Sequence, residues 1–181
     1  MEHFPTADDS PRLAAGSVQT GPGPGGIYLH VPFCRRKCAY CDFASTTRTD
    51  LKTAWLAAVQ VEIERRAADF PTADTLYLGG GTPSLLTPTE VERLLESLQG
   101  ALPISSPAEI TLEANPGSID AEKFRIYRQL GVNRLNLGVQ SFQSENLAFL
   151  GRSHTADDAR RAIRLARAAG FDNLGLDLIY G

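Results

Sequence analysis

The 181-residue chain has no apolar run approaching the 18 or so residues that crossing a bilayer requires. It also has no basic excess. Eighteen Lys and Arg stand against 21 Asp and Glu, a net charge of −3, whereas a nucleic-acid footprint would show as a basic patch or stripe. The first 26 residues contain no hydrophobic core of a secretory signal. They are rich in Pro, Gly, Ser, Thr and Asp, and they end in Gly21-Pro22-Gly23-Pro24-Gly25-Gly26. So little apolar surface cannot offset the entropy of ordering, so residues 1–26 are expected to form a disordered leader. Cysteine is confined to three residues, all within one short stretch. An odd, clustered count with no export signal suits a reducing compartment, which argues against disulfides and for a cytoplasmic location.

What the chain does contain is 43% hydrophobic residues, enough for one packed domain. That core is expected over residues 27–181. It begins with Gly26-Ile27-Tyr28-Leu29-His30-Val31-Pro32-Phe33-Cys34-Arg35-Arg36-Lys37-Cys38-Ala39-Tyr40-Cys41-Asp42-Phe43, in which an apolar strand leads into a Cys-x3-Cys-x2-Cys loop. Three thiolates on one loop can hold three irons of a cubane [4Fe–4S] cluster and leave the fourth open to a small molecule. A Cys3His zinc site using His30 is the bland alternative, although structural zinc sites usually pair two distant hooks and only one is present. Arg35, Arg36 and Lys37 set positive charge beside the thiolates, suited to a cluster of net negative charge or simply to solvent.

From Ile27 onward, apolar runs alternate with amphipathic segments, the pattern of repeated βα units around a parallel sheet. Strands are expected at Ile27–Pro32, Thr75–Leu78, Glu109–Ala114, Arg134–Val139 and Asn173–Ile179. The first helix is expected to open at Asp50 and to turn Leu51, Ala54, Trp55, Ala58, Val59 and Ile63 inward. Thr87-Pro88-Thr89-Glu90 and Thr155 with Asp158 read as capping boxes. Phe124, Tyr127 and Leu130 belong to a helix stopped by Gly131, and a short helical piece lies around 143–150. On the last helix, Ala159, Ala162, Ile163 and Ala166 face inward. Arg160, Arg161, Arg164 and Arg167 form a solvated row, with Asp157 and Arg161 spaced as an ion pair. The last strand has neither a crossover helix nor a neighbour after it, so the chain is expected to be part of a larger barrel, truncated after the fifth strand.

In parallel α/β folds ligands bind at the carboxyl ends of strands, and the unusual residues fall there. The cysteine loop follows the first strand. Gly79-Gly80-Gly81 follows the second and offers backbone a ligand can approach, or is simply a loop. Glu113 ends the third strand and is costly to bury without a partner, either a ligand or a structural group near Asn115. Gln140 and Ser141 follow the fourth strand. Asp177 lies near the end of the fifth, as a ribose-binding or a turn-forming carboxylate.

The cysteine spacing after Tyr-x-His-x-Pro-Phe resembles the cluster loop of radical S-adenosylmethionine (SAM) proteins. There the open iron chelates SAM, and one electron cleaves the sulfonium bond to give a 5′-deoxyadenosyl radical. Tyr28 to Cys34, Gly79-Gly80-Gly81-Thr82-Pro83-Ser84, Glu113-Ala114-Asn115-Pro116 and Gly138-Val139-Gln140-Ser141-Phe142 together resemble the oxygen-independent coproporphyrinogen-III oxidase family. That resemblance implies a partial (β/α)6 barrel. It also implies Cys34, Cys38 and Cys41 as cluster ligands, and Tyr28, Tyr40, Gly80, Gly81, Thr82, Glu113, Gln140, Arg152 and Asp177 as SAM contacts. Oxidases of this family carry a fourth cysteine two residues past the third, where this chain has Phe43. Cys41-Asp42-Phe43 instead is similar to the HemW branch, heme chaperones that bind heme and pass it to an acceptor protein, with room for a membrane-associated one. The alternative is the oxidase itself, which decarboxylates porphyrinogen propionates to vinyls. The family's heme-associated His-Asn-x-x-Tyr-Trp segment is absent here. His3, His30 and His154 are poor substitutes, and His30 reads better as a hydrogen-bonding residue behind the cluster.

Overall fold

Alternating large and small or polar residues in each strand give the sheet one apolar face and one polar face. A computed structural model describes residues 23–180, and in it five strands pair in parallel in the order of the chain: β1 (Gly25–Val31), β2 (Ala73–Gly80), β3 (Ile104–Ala114), β4 (Arg134–Gln140) and β5 (Asn173–Leu178). Leu29 and Val31, Leu76 and Leu78, Ile110 and Leu112, and Leu135, Leu137 and Val139 turn to one face and are buried. Between them Tyr28, Tyr77, Glu113, Asn136 and Asp177 turn to the other. An unbroken strand order with crossovers of one hand stacks the helices on the apolar side and leaves the polar side as a concave wall.

The helices are α1 (Lys52–Arg66), α2 (Pro88–Ala101), α3 (Ala121–Gln129), α4 (Ser144–Phe149) and α5 (Ala156–Ala168). Both expected capping boxes form. Thr87 Oγ1 accepts from Glu90 N–H at 3.2 Å while Glu90 accepts from Thr87 N–H at 2.7 Å, and Thr155 and Asp158 do the same at 3.1 and 2.9 Å. Val91, Leu94, Leu95 and Leu98 of α2, Phe124 and Tyr127 of α3, and Ala159, Ala162 and Ala166 of α5 join a single core beneath the sheet. Gly131 and Gly170 take φ of +97° and +87° just past α3 and α5, the left-handed stop that glycine permits.

Several boundaries differ from the sequence expectation, each for a physical reason. Residues 1–22 of the expected leader lie outside the described residues, but Gly25 and Gly26 already belong to β1, paired with Ala73 and Thr75. β2 continues through Gly79 and Gly80, which pair with His30 and Val31, so two of the three glycines are strand rather than loop. β3 starts five residues early because Ile104 pairs with Ala73 across an irregular stretch. A 3-10 turn at Thr49–Leu51 precedes α1, and Ala54 and Ala58 face solvent; Trp55, Leu56, Val59 and Ile63 make the inner stripe instead. Asp157 pairs with Arg160 at 3.0 Å, not with Arg161. All four arginines of that row are exposed, and Arg160 also lies over the Phe142 ring.

Candidate cluster and cofactor site

The cysteine loop leaves β1 at Pro32 and is closed at its base by two main-chain hydrogen bonds, Thr46 N–H to Pro32 O at 2.7 Å and Cys34 N–H to Thr46 O at 2.9 Å. His30 fastens the loop's far side, its Nε2 lying 2.7 Å from Ala44 O. Arg35 donates to Gly117 O at 3.4 Å, Arg36 to Gly151 O, and Lys37 to Phe43 O at 3.4 Å. The three cysteines are free thiols, half-buried, around one pocket of about 70 Å3. Thr82 Oγ1 lies 3.6 Å from Cys34 Sγ and Arg152 Nη1 lies 3.7 Å from Cys38 Sγ.

A cluster fits this loop. Among the described residues no three His, Cys, Asp or Glu side chains are gathered tightly enough for one metal ion. A cubane takes one thiolate at each of three iron corners, and Cys34, Cys38 and Cys41 line one pocket. His30 spends its Nε2 on Ala44 O, away from the thiols, which disfavours the Cys3His zinc alternative. Two buried polar atoms without partners, Arg152 Nε and Ser45 Oγ, belong to residues that line this pocket. Orphaned buried donors are rare and point to an acceptor supplied from elsewhere. At Gly81, a side chain would meet Phe33 O at 2.8 Å and Cys34 Sγ at 3.0 Å, so only glycine lets the chain just past β2 run this close to the loop.

A second pocket, about 390 Å3, opens from the cysteine loop across the polar face of the sheet. Of the nine residues expected to contact SAM, eight line it: Tyr40, Gly80, Gly81, Thr82, Glu113, Gln140, Arg152 and Asp177. Tyr28 does not. It stands outside the pocket, 57% exposed, stacked on Tyr77 with ring centroids 5.7 Å apart. Cys41 and Phe43 complete the rim on the loop side, with Phe43 61% exposed.

Glu113 has no bond to Asn115, whose side chain accepts from Gly117 N–H instead. Its Oε1 accepts from Tyr77 Oη at 2.7 Å and its Oε2 from Gly80 N–H at 3.0 Å. Burial pushes the Glu113 carboxyl above the usual carboxylate range, and the Tyr77 and Gly80 donors oppose that rise. The Tyr77 phenol is itself pushed well up by burial and by its bond to Glu113. Asp177 accepts from Asn136 Nδ2 at 2.8 Å and forms no turn. Gln140 sits at φ +67°, the sole non-glycine residue with positive φ among the described residues, and its carbonyl accepts from Ile179 N–H at 3.0 Å.

Arg152 ties the two pockets together. Its Nη2 donates to Gly138 O at 2.7 Å while Nη1 donates to Tyr40 Oη at 3.3 Å beside Cys38. Burial, then the Arg152 charge, holds the His154 imidazole down; its Nε2 faces Val139 O at 3.1 Å, and the ring is buried. His3 lies outside the described residues. Sequence reasoning missed Tyr77 and Asn136. The signal was there in part, since a polar residue two positions from another on the same strand shares its face.

The family model that matches residues 28–181 is the Radical SAM superfamily. The chain belongs to the Radical SAM superfamily. It is 40% identical over 164 residues to the heme chaperone HemW of Escherichia coli K12, a match covering 87% of this chain and 43% of that protein. To heme chaperone HemW of Mycobacterium tuberculosis H37Rv it is 44% identical over 164 residues, covering 87% and 42%. Among solved structures, coproporphyrinogen III oxidase (HemN) from Escherichia coli, a radical SAM enzyme, superposes with a TM-score of 0.81 at 33% identity over 87% of this chain and 37% of that one. The chain therefore spans about two fifths of the length of these relatives. The superposition bears out the expected α/β fold, a parallel five-stranded part of a radical SAM barrel. No helix among the described residues is long and apolar enough to cross a membrane.

Proposed function

We propose that this chain is the cluster- and SAM-binding part of a HemW-type heme chaperone acting in the cytoplasm, with a core that begins at Gly25, where β1 starts, and the residues before it as a leader. The observation that carries the reading is a pocket of three free thiols opening directly into a pocket walled by Glu113, Asp177 and Arg152. Cys34, Cys38 and Cys41 would hold a [4Fe–4S] cluster. Reduced and bound to SAM, such a cluster supplies one electron to the sulfonium.

The protein's own residues provide the rest of the site. Gly80 and Gly81 present backbone to the methionine moiety, and Glu113, paired with two donors, accepts from its ammonium. Arg152, whose side chain borders both pockets, meets its carboxylate. Asp177 accepts from ribose hydroxyls, Gln140 and Thr82 bracket the remaining edge, and Tyr40 closes the loop side. Tyr28, stacked on Tyr77, is the ninth expected contact. Heme would be carried by the full-length protein and delivered to an acceptor protein, membrane-associated or not.

Phe43 in place of a fourth cysteine favours the chaperone over the oxidase. Anaerobic reconstitution of the full-length protein, with electron paramagnetic resonance of the reduced sample, tests the core. A [4Fe–4S]+ signal that shifts on adding SAM is expected, together with heme binding and no protoporphyrinogen IX from coproporphyrinogen III. Robust turnover of coproporphyrinogen III would overturn the chaperone reading in favour of the oxidase. Zinc in place of iron would overturn the cluster itself.

A further inference from the structure

The two pocket carboxylates share one construction. Extending the strand register by one pair sets Gly79 opposite Glu113, and Gly138 pairs with Asp177. In each case the donor to the carboxylate stands two positions before that register partner on the neighbouring strand: Tyr77 before Gly79, Asn136 before Gly138. Two residues along a strand is one repeat of the pleat, so donor and carboxylate emerge on the same face. Asn136 is also directly opposite Glu113, which makes Tyr77, Glu113, Asn136 and Asp177 a continuous row across four strands.

Room for each donor is made by a glycine. Gly79 is the member of the glycine run that lines neither pocket, and a Cβ there would lie 2.7 Å from the Tyr77 ring and 2.8 Å from the Tyr28 ring. At Gly175, paired with Asn136, a Cβ would collide with Asn136 Oδ1. Both glycines thus serve the donors rather than a ligand. Stacking on Tyr28 fixes the direction of the Tyr77 hydroxyl, and its 2.7 Å bond to Glu113 is in the range of a charge-assisted hydrogen bond.

We infer that Tyr77 and Asn136 are positioning residues, neutral donors that orient Glu113 and Asp177 so that the carboxylates' remaining lone pairs point into the pocket at a ligand's ammonium and hydroxyl groups. A carboxylate accepts about four hydrogen bonds; Tyr77 and Gly80 occupy one site on each Glu113 oxygen and leave one on each for the ligand. The inference rests on the proposed SAM site and adds what sets its geometry.

The test uses the full-length, cluster-loaded protein with SAM as the probe, read by equilibrium binding and by the shift of the reduced-cluster signal, across acid to neutral pH. Y77F keeps the ring and its stacking and removes only the donor. It is expected to weaken SAM binding about tenfold, the effect of losing one hydrogen bond to a charged group. The acid limb of the binding profile should also move to higher pH, because Glu113 loses a donor that favours its ionised form while Asp177 and His30, the other charged or titratable groups facing it besides Tyr28, are unchanged. N136A is expected to weaken binding by a similar factor. Wild-type affinity and an unmoved acid limb in Y77F, with wild-type affinity in N136A, would overturn the inference while leaving the SAM site standing. Wild-type protein that binds no SAM would overturn both. A variant that loses its cluster or its fold would assign that residue a structural role instead.

Discussion

The cysteine loop and the carboxylate wall face one another across Arg152, yet they are held in place by different means. The loop is an excursion of main chain, pinned by a few hydrogen bonds from Thr46, His30 and three exposed cations. The wall is the polar face of a sheet whose other face is the core, so its side chains inherit their spacing from strand register. A loop of this kind tolerates change in anything but its ligands. A wall of this kind transmits each change in packing to both the fold and the site.

Removing a ligand breaks the comparison most sharply. Cys38→Ala is expected to abolish cluster incorporation, measured as iron content, while the melting temperature of the unloaded protein moves little, since Cys38 is only half-buried on the loop. Unfolding would show that the loop is part of the core after all.

On the wall the pattern should reverse. Gly79→Val would drive a side chain into the Tyr77 and Tyr28 rings, and overpacking of this kind costs about 1–3 kcal/mol. Denaturant unfolding should show that loss even though Gly79 touches neither pocket.

Glu113→Gln sharpens the contrast further. An acid whose folded pKa is raised binds its proton more tightly when folded, so its contribution falls as pH rises through the carboxylate range towards the folded pKa. The amide can still accept from Gly80 N–H and donate to Tyr77 Oη. The variant is therefore expected to equal or exceed wild type in melting temperature at neutral pH, with that advantage shrinking as pH falls, while SAM binding weakens. A pH-independent difference would contradict it.

The smallest effect belongs to a position outside both regions. Arg160→Ala removes an exposed ion pair with Asp157 and the contact over the Phe142 ring and should change stability by no more than about 1 kcal/mol, with iron content and SAM affinity unaltered.

The loop was legible from the sequence because a Cys-x3-Cys-x2-Cys spacing is local and chemically specific. Strand order was legible as well, because five apolar runs separated by capped helices admit few parallel arrangements. The caps at Thr87 and Thr155 announced themselves for the same local reason. What could not be read were features that exist only once strands are in register. Tyr77 looked like one more apolar strand residue, and nothing within β2 says that its hydroxyl reaches a glutamate 36 positions later. Asn136 was likewise invisible until β4 lay beside β5. Tyr28, expected among the ligand contacts from its motif, stacks on Tyr77 and does not itself line the pocket.

The tie between Pro32 and Thr46 has a consequence for how a cluster would be acquired. Bringing the ends of a flexible segment together costs entropy that grows slowly with its length. Here part of that cost is met by the main chain itself, through the Cys34 N–H to Thr46 O and Thr46 N–H to Pro32 O bonds. Cys34, Cys38 and Cys41 therefore lie on one short closed segment, and the three ligands have little chain to search for one another.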